Sequence, residues 1–133
     1  MSNIKKLSLV LVLLGLFFGV SACQAKPDKG DLVSVSVSLY NDTLLYKGDF
    51  EIEENSSAYE LLVEFFEGTY SEYVMEGETV YMLDTLKYQT YDLVPQSQEF
   101  IAFYVNGESS MKGISQYYIQ DNDSIEFRIE SWS

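Results

Sequence analysis

Leu32-Val33-Ser34-Val35-Ser36-Val37-Ser38-Leu39-Tyr40 is the stretch that decides the fold. Val33, Val35, Val37 and Leu39 fall on one side of an extended chain, and the serines fall on the other. Period-two alternation of this kind predicts a strand with one buried face. Asn41-Asp42 follows as a turn signal. Residues 44–52 then predict a second strand, so the two form a hairpin. Lys47-Gly48-Asp49 is the expected site of an irregularity within it.

Beyond the hairpin the period changes. Ser57 and Glu60 have the spacing of a capping box, in which the hydroxyl accepts from one orphan N–H and the carboxylate reaches back to another. Ala58, Leu61, Leu62, Phe65 and Phe66 recur as one helical face. Burying its two Leu and two Phe side chains is worth roughly 1.5–3 kcal/mol each. Gly68 is expected to terminate the helix.

Residues 70–91 carry a weaker pattern. Glu76-Gly77-Glu78 reads as a turn between short strands at Tyr73-Val74-Met75 and residues 79–83. Residues 92–99, with Pro95, read as a surface loop. Residues 100–105 are strongly apolar and run into Asn106-Gly107, which supplies the positive φ values of a tight turn. Strands are expected at Tyr117-Tyr118-Ile119 and at residues 124–129, where Ile125, Phe127 and Ile129 alternate with Glu126, Arg128 and Glu130. Hairpin, one helix, then several strands is the order of a two-layer α+β domain. A β-grasp-like arrangement satisfies it: a mixed sheet with one amphipathic helix packed on one face.

The N-terminal residues have a different character. Lys5 and Lys6 precede residues 7–20, an apolar run broken only by Ser8, Gly15 and Gly19, and Ser21-Ala22-Cys23 closes it with small side chains. A charged start, a short apolar run and small residues are the marks of an export signal. The run is shorter than the roughly 20 residues a membrane span requires. Val20-Ser21-Ala22-Cys23 resembles the lipobox of bacterial lipoproteins, which implies cleavage before Cys23 and acylation of its sulfur. Stable anchoring then follows from more than one acyl chain, at roughly 0.8 kcal/mol per buried CH₂. The alternative is a secreted chain cut after Ala22 with a free thiol. The expected divisions are a signal peptide over residues 1–22, a lipidated tether over 23–31 and one domain over 32–133. The expected location is the outer face of a bacterial cytoplasmic membrane.

Of 133 residues, eight are basic and 21 acidic. Removal of residues 1–22 takes away Lys5 and Lys6 and no acid, which leaves six against 21, a formal charge of −15. That charge argues against nucleic acid, whose binding depends on basic side chains displacing counterions. It argues equally against unaided adhesion to anionic lipid. The aromatic content, 11 Tyr, eight Phe and one Trp, separates the chain from acidic disorder. No histidine is present, so His-dependent triads and imidazole metal ligation are excluded. With Cys23 acylated, thiolate chemistry is excluded too, and the chain is not expected to be an enzyme.

The C-terminal half carries a longer pattern. Phe103-Tyr104-Val105-Asn106-Gly107-Glu108, then Gly113-Ile114, then residues 118–127 with the Asp121-Asn122-Asp123 turn resemble the transcobalamin-like C-terminal domain family. Two positions depart from it. Phe100-Ile101 stand where a Trp often precedes the motif, and Asn122 replaces the usual turn Gly. The resemblance covers nearly the whole of residues 32–129. It implies a β-grasp fold and, as ligand, a corrinoid such as cobalamin, over which the similar domain of vertebrate carriers forms a lid beside a larger helical domain.

Candidate contacts follow from these readings. The loop 106–113 offers glycines that admit close backbone approach and adaptable side chains above them. The candidate ligand-binding set is Tyr104, Asn106, Gly107, Ser109, Ser110 and Met111, with Tyr104 on the opposite sheet face from Phe103 and Val105. Asp121, Asp123 and Glu126 fall short of the ligand count of a calcium loop, and no metal site or cofactor is assigned. Tyr70, Tyr73, Tyr81, Tyr88 and Tyr91 form either an aromatic platform or half-buried strand residues. The expected function is a membrane-anchored binding protein that captures a small molecule for an adjacent membrane transporter. The alternative is a surface module that binds another protein or a cell-wall polymer, in which a sheet edge accepts a partner strand.

Overall fold

The computed structural model describes residues 26–132. The expected signal peptide, residues 1–22, and Cys23 lie outside the described residues. The elements run β1 (Leu32–Asn41), β2 (Thr43–Glu53), α1 (Ala58–Phe65), β3 (Glu67–Met75), β4 (Glu78–Tyr88), β5 (Tyr91–Leu93), β6 (Glu99–Val105), β7 (Glu108–Ser109) and β8 (Asp123–Ser131). They form a five-stranded mixed sheet, ordered β2-β1-β8-β6-β7, and a three-stranded antiparallel sheet, β3-β4-β5. β1 and β8 are parallel and central, with Val37 opposite Ile125 and Leu39 opposite Phe127. This is the expected α+β, β-grasp-like architecture.

The alternation of β1 places Val35, Val37 and Leu39 at zero exposure. Ile125 and Phe127 of β8 continue that face, and Ala58, Leu61 and Leu62 of α1 pack over it. The opposite face carries the serines. It also carries Arg128, whose guanidinium lies 4.3 Å from the Tyr40 ring centre and 5.1 Å from that of Tyr104. α1 begins with the full capping box at Ser57 and Glu60. Both tight turns form: Asn106 and Gly107 have φ of 53° and 85°, and Glu76 and Gly77 have 51° and 82°.

Several expectations are corrected. Tyr117-Tyr118-Ile119 is not a strand and makes only the bridge between Ser57 and Tyr118. Its backbone is committed to the start of the helix: the Tyr117 carbonyl accepts from Ala58 N–H, the Ile114 carbonyl accepts from Tyr59 N–H, and Ile119 N–H donates to the Ser56 carbonyl. The first two satisfy N–H groups that a helix leaves without intrahelical partners. Gly68 lies inside β3, and the helix ends at Phe66 instead, whose N–H donates to the Leu62 carbonyl. The Tyr70 ring folds across Gly68, so close that an added Cβ would sit 2.5 Å from the hydroxyl. Lys47-Gly48-Asp49 pairs regularly, and the bulge of this hairpin lies between Leu39 and Tyr40. The two short strands expected between 70 and 91 are one long hairpin, β3–β4. The loop expected from 92 starts later, because β5 runs to Leu93, which is fully buried.

One end of the larger sheet gathers every segment relevant to a site. β1 begins there and β2 ends there, with Leu32 opposite Glu53. β8 begins and β6 ends at the same end, with Val35 opposite Asp123 and Val105 opposite Ile125. The N-terminus of α1 and the loops between β6 and β8 therefore share it.

Candidate functional site

Between β7 and β8 the chain makes a compact loop rather than a free arc. Ser110 N–H donates to the Phe103 carbonyl at 2.9 Å, and the Ser110 hydroxyl donates to the Lys112 carbonyl at 2.7 Å. The Ser115 hydroxyl accepts from the Tyr81 N–H at 3.2 Å, which ties the loop to β4. Met111 sits at the crest with 99% of its surface exposed.

Two clefts flank that crest. The smaller, about 340 Å³, lies between β6 and the loop and is lined by Ile101, Phe103, Ser109, Ser110, Met111 and Lys112 among others. The larger, about 830 Å³, lies between the loop, the N-terminus of α1 and β4. Its walls include Tyr59, Tyr81 and Tyr118, with Lys26 and Lys112 set against Glu60 and Glu78. Tyr59 and Tyr81 stack in parallel with ring centres 4.2 Å apart and an interplanar angle of 7°. Tyr70 meets Tyr59 edge-on at 5.0 Å.

The electrostatics of the larger cleft follow from its neighbours. Burial raises the Tyr59 hydroxyl, and Tyr81 and Glu72 raise it further, so it stays protonated at neutral pH. Burial alone would raise Glu60. The Lys29 ammonium and the Ser57 amide and hydroxyl outweigh it and hold the carboxyl below its usual range. Tyr70 is pushed up to about 12 by burial. An aromatic stack, hydroxyl donors and charges of both signs can hold an amphipathic small molecule by stacking and hydrogen bonding.

The six residues singled out in the sequence separate. Ser109, Ser110 and Met111 line the smaller cleft, and Met111 also lines the larger one. Tyr104 is on the open face of the sheet, where its hydroxyl donates to Glu130. Asn106 is a structural clamp, with its amide donating to Asp123 and its oxygen accepting from Ser124 N–H. Gly107 is the exposed apex of the β6–β7 turn. Tyr104, Asn106 and Gly107 therefore stand outside the walls of both clefts.

Asp123 is 6% exposed and accepts from Tyr117, Gln120 and Asn106. Asp121 accepts from Ser34 N–H, and Glu126 holds Arg128. Among the described residues, no group of acidic side chains is arranged to hold a metal ion. The tyrosines divide as well. Tyr88 and Tyr91 pack on Tyr46 at 4.7 and 5.7 Å, Tyr73 is exposed, and only Tyr81 of the five lines a cleft. Sequence reasoning missed Tyr59, Ser115 and Lys112. Tyr59 sits next to buried Ala58 at the edge of the apolar helix stripe, which is a signal for partial burial. Nothing in the sequence indicates its stacking on Tyr81.

The sequence profile of a family described as a domain of unknown function, DUF4430, matches residues 55–131. No curated protein matches the chain. Among solved structures, the fold is similar to that of a candidate metal binding protein from Ruminococcus gnavus, at 15% identity and a TM-score of 0.54. That match covers 76% of this chain and 99% of the other. The fold is also similar to part of haptocorrin, determined in complex with Cbi, at 12% identity and a TM-score of 0.58. That match covers 84% of this chain and 28% of haptocorrin, so the likeness concerns one portion of a much longer protein.

Proposed function

This chain belongs to the DUF4430 family, and on that footing we propose that it is an exported lipoprotein, held by acylated Cys23 on the outer face of a bacterial cytoplasmic membrane. There it binds a small molecule in the cleft of Tyr59, Tyr81 and Met111 and passes it to a membrane transporter. The observation that carries the binding role is that cleft, about 830 Å³ with a stacked tyrosine pair in its wall. Its mixture of aromatic faces and charges of both signs suits an amphipathic ligand. A corrinoid is the first ligand to test, given the likeness of fold to haptocorrin. The anchoring role is supported by Val20-Ser21-Ala22-Cys23 behind an apolar run.

Titration of the mature lipoprotein with cobalamin by calorimetry tests the ligand. Binding that weakens at least tenfold in Tyr81→Ala supports the cleft. Absence of heat at high micromolar concentration removes the corrinoid.

A second reading has its own observation. The β3–β4 tip exposes Tyr73, Val74, Met75 and Met82, at 41%, 72%, 49% and 54%. Tyr73 and Met75 share one side of the hairpin with Met82 of β4, Val74 faces the other, and β3 pairs on one edge only. A module that binds another protein or a cell-wall polymer would use that tip, and its capture would be abolished by Val74→Asp with the cleft intact.

A further inference from the structure

The segment that joins the proposed anchor to the domain is not a loose linker. Gly30 N–H donates to the Glu54 carbonyl at 3.0 Å, and Glu54 N–H donates to the Asp31 carbonyl at 2.9 Å. The Asn55 amide donates to the Asp28 carbonyl at 2.8 Å. The Lys29 ammonium pairs with Glu60, the carboxylate of the helix capping box. Residues 28–31 are thus strapped to the β2–α1 connection, and Lys26 just before them contributes to the wall of the larger cleft.

Covalent geometry limits what lies between Cys23 and that strap. Five residue steps separate Cys23 from Asp28, and at 3.3–3.6 Å each they span about 18 Å at most. β1 leads away from the strap for ten residues, which at about 3.4 Å per residue places the β1–β2 turn about 34 Å farther on. The loops between β6 and β8 lie at the strap end of the sheet, as the pairing of Val35 with Asp123 and of Val105 with Ile125 requires.

We infer that the anchored domain stands on its 106–122 loop end, so that the mouth of the larger cleft faces the bilayer and Met111 touches the lipid headgroup layer. This rests on acylation of Cys23. Met111 is flexible, apolar and 99% exposed. Lys26 and Lys112 beside it are long enough to lay their methylene stems along lipid while keeping their charges in the headgroups. Charge does not hold the contact, because Asp28, Asp31, Glu53, Glu54 and Asp121 share this end. The short strap holds it, and without the acyl chains the acidic domain leaves the surface. A ligand then enters or leaves the cleft at the membrane face, where a transporter mouth can meet it.

The test uses lipidated full-length protein in phosphatidylcholine vesicles that contain a nitroxide-headgroup lipid. Acylation blocks the only native thiol, so a fluorophore can be placed on Met111→Cys or on Thr43→Cys at the far turn. The expected result is several-fold stronger quenching at position 111 than at 43. A flexible spacer of about 20 residues inserted after Gln24 should equalise the two, since its span then exceeds the strap's reach. Equal quenching at the two positions without the spacer, or stronger quenching at 43, overturns the orientation and leaves the anchor standing. Fluorophore attached to Cys23 in the native sequence overturns both.

Discussion

β1 and β3 are strands of similar length with opposite fates. β1 buries Val33, Val35, Val37, Ser38 and Leu39, whereas none of the nine residues of β3 is buried. The first strand is central, with neighbours on both edges and α1 over its apolar face. The second is the edge of a three-stranded sheet whose distal half projects from the core. Stability therefore resides in the core between the five-stranded sheet, α1 and the buried Leu83, Leu86 and Leu93 of β4 and β5, and the distal half of the β3–β4 hairpin is free to vary its surface at little energetic cost.

The largest effect that would break this contrast belongs to Phe127. It is fully buried and stacks on Phe103 with ring centres 5.5 Å apart. Phe127→Ala should cost about 3–5 kcal/mol in a urea unfolding series. A loss below 1 kcal/mol would mean that the sheet core does not dominate stability.

Tyr117 gives an intermediate effect. Its hydroxyl is raised by burial first and then by the hydrogen bond it donates to Asp123. A tyrosine raised in the folded state is neutral in both states below the unfolded pKa of about 10, so its contribution is complete there. That contribution is lost as pH rises through the folded value. Tyr70, pushed up to about 12, acts in the same direction. Stability should therefore fall above pH 10. Tyr117→Phe should lower stability by about 1 kcal/mol at pH 7 and make the alkaline decline shallower. Thermal unfolding between pH 7 and 11 checks both statements, and an unchanged alkaline slope would remove Tyr117 as a contributor.

The smallest effect belongs to the hairpin tip. Val74 is 72% exposed, and Val74→Asn should change stability by less than about 0.5 kcal/mol. A larger loss in the same urea assay would show that the tip packs on something in solution.

Legibility followed the range of the interactions involved. The capping box was readable because Ser57 and Glu60 are three residues apart and satisfy each other locally. The two tight turns were readable because Gly107 and Gly77 occupy positive φ, the first beside Asn106, which tolerates the same region. β3 and β4 were hard to read because β3 is partly buried only at Gly68 and Tyr70 and the buried residues of β4, Val80, Leu83 and Leu86, are spaced by three, so no period of two runs through either. Tyr117-Tyr118-Ile119 looked like a strand because its composition suits one, yet its backbone bonds go to Ala58 and Ser56. The candidate site shows the same split. Ser109, Ser110 and Met111 were legible as an adaptable loop, whereas Asn106 turned out to clamp β6 to β8 through Asp123 and Ser124.

By itself, the sequence determined the β1–β2 hairpin, the capped helix, the alternation of the last strand and the acidic charge, because each depends on neighbours a few residues apart or on composition. Only the tertiary structure decided that Tyr59 meets Tyr81, that the strap closes on Glu60, and that the clefts open at the end where the chain comes in. Those are contacts between residues far apart along the chain. They exist because packing the helix and β4 against the sheet brings those groups together, with the loop's buried backbone groups bonded to α1 and to β6 and its Ser115 hydroxyl to β4.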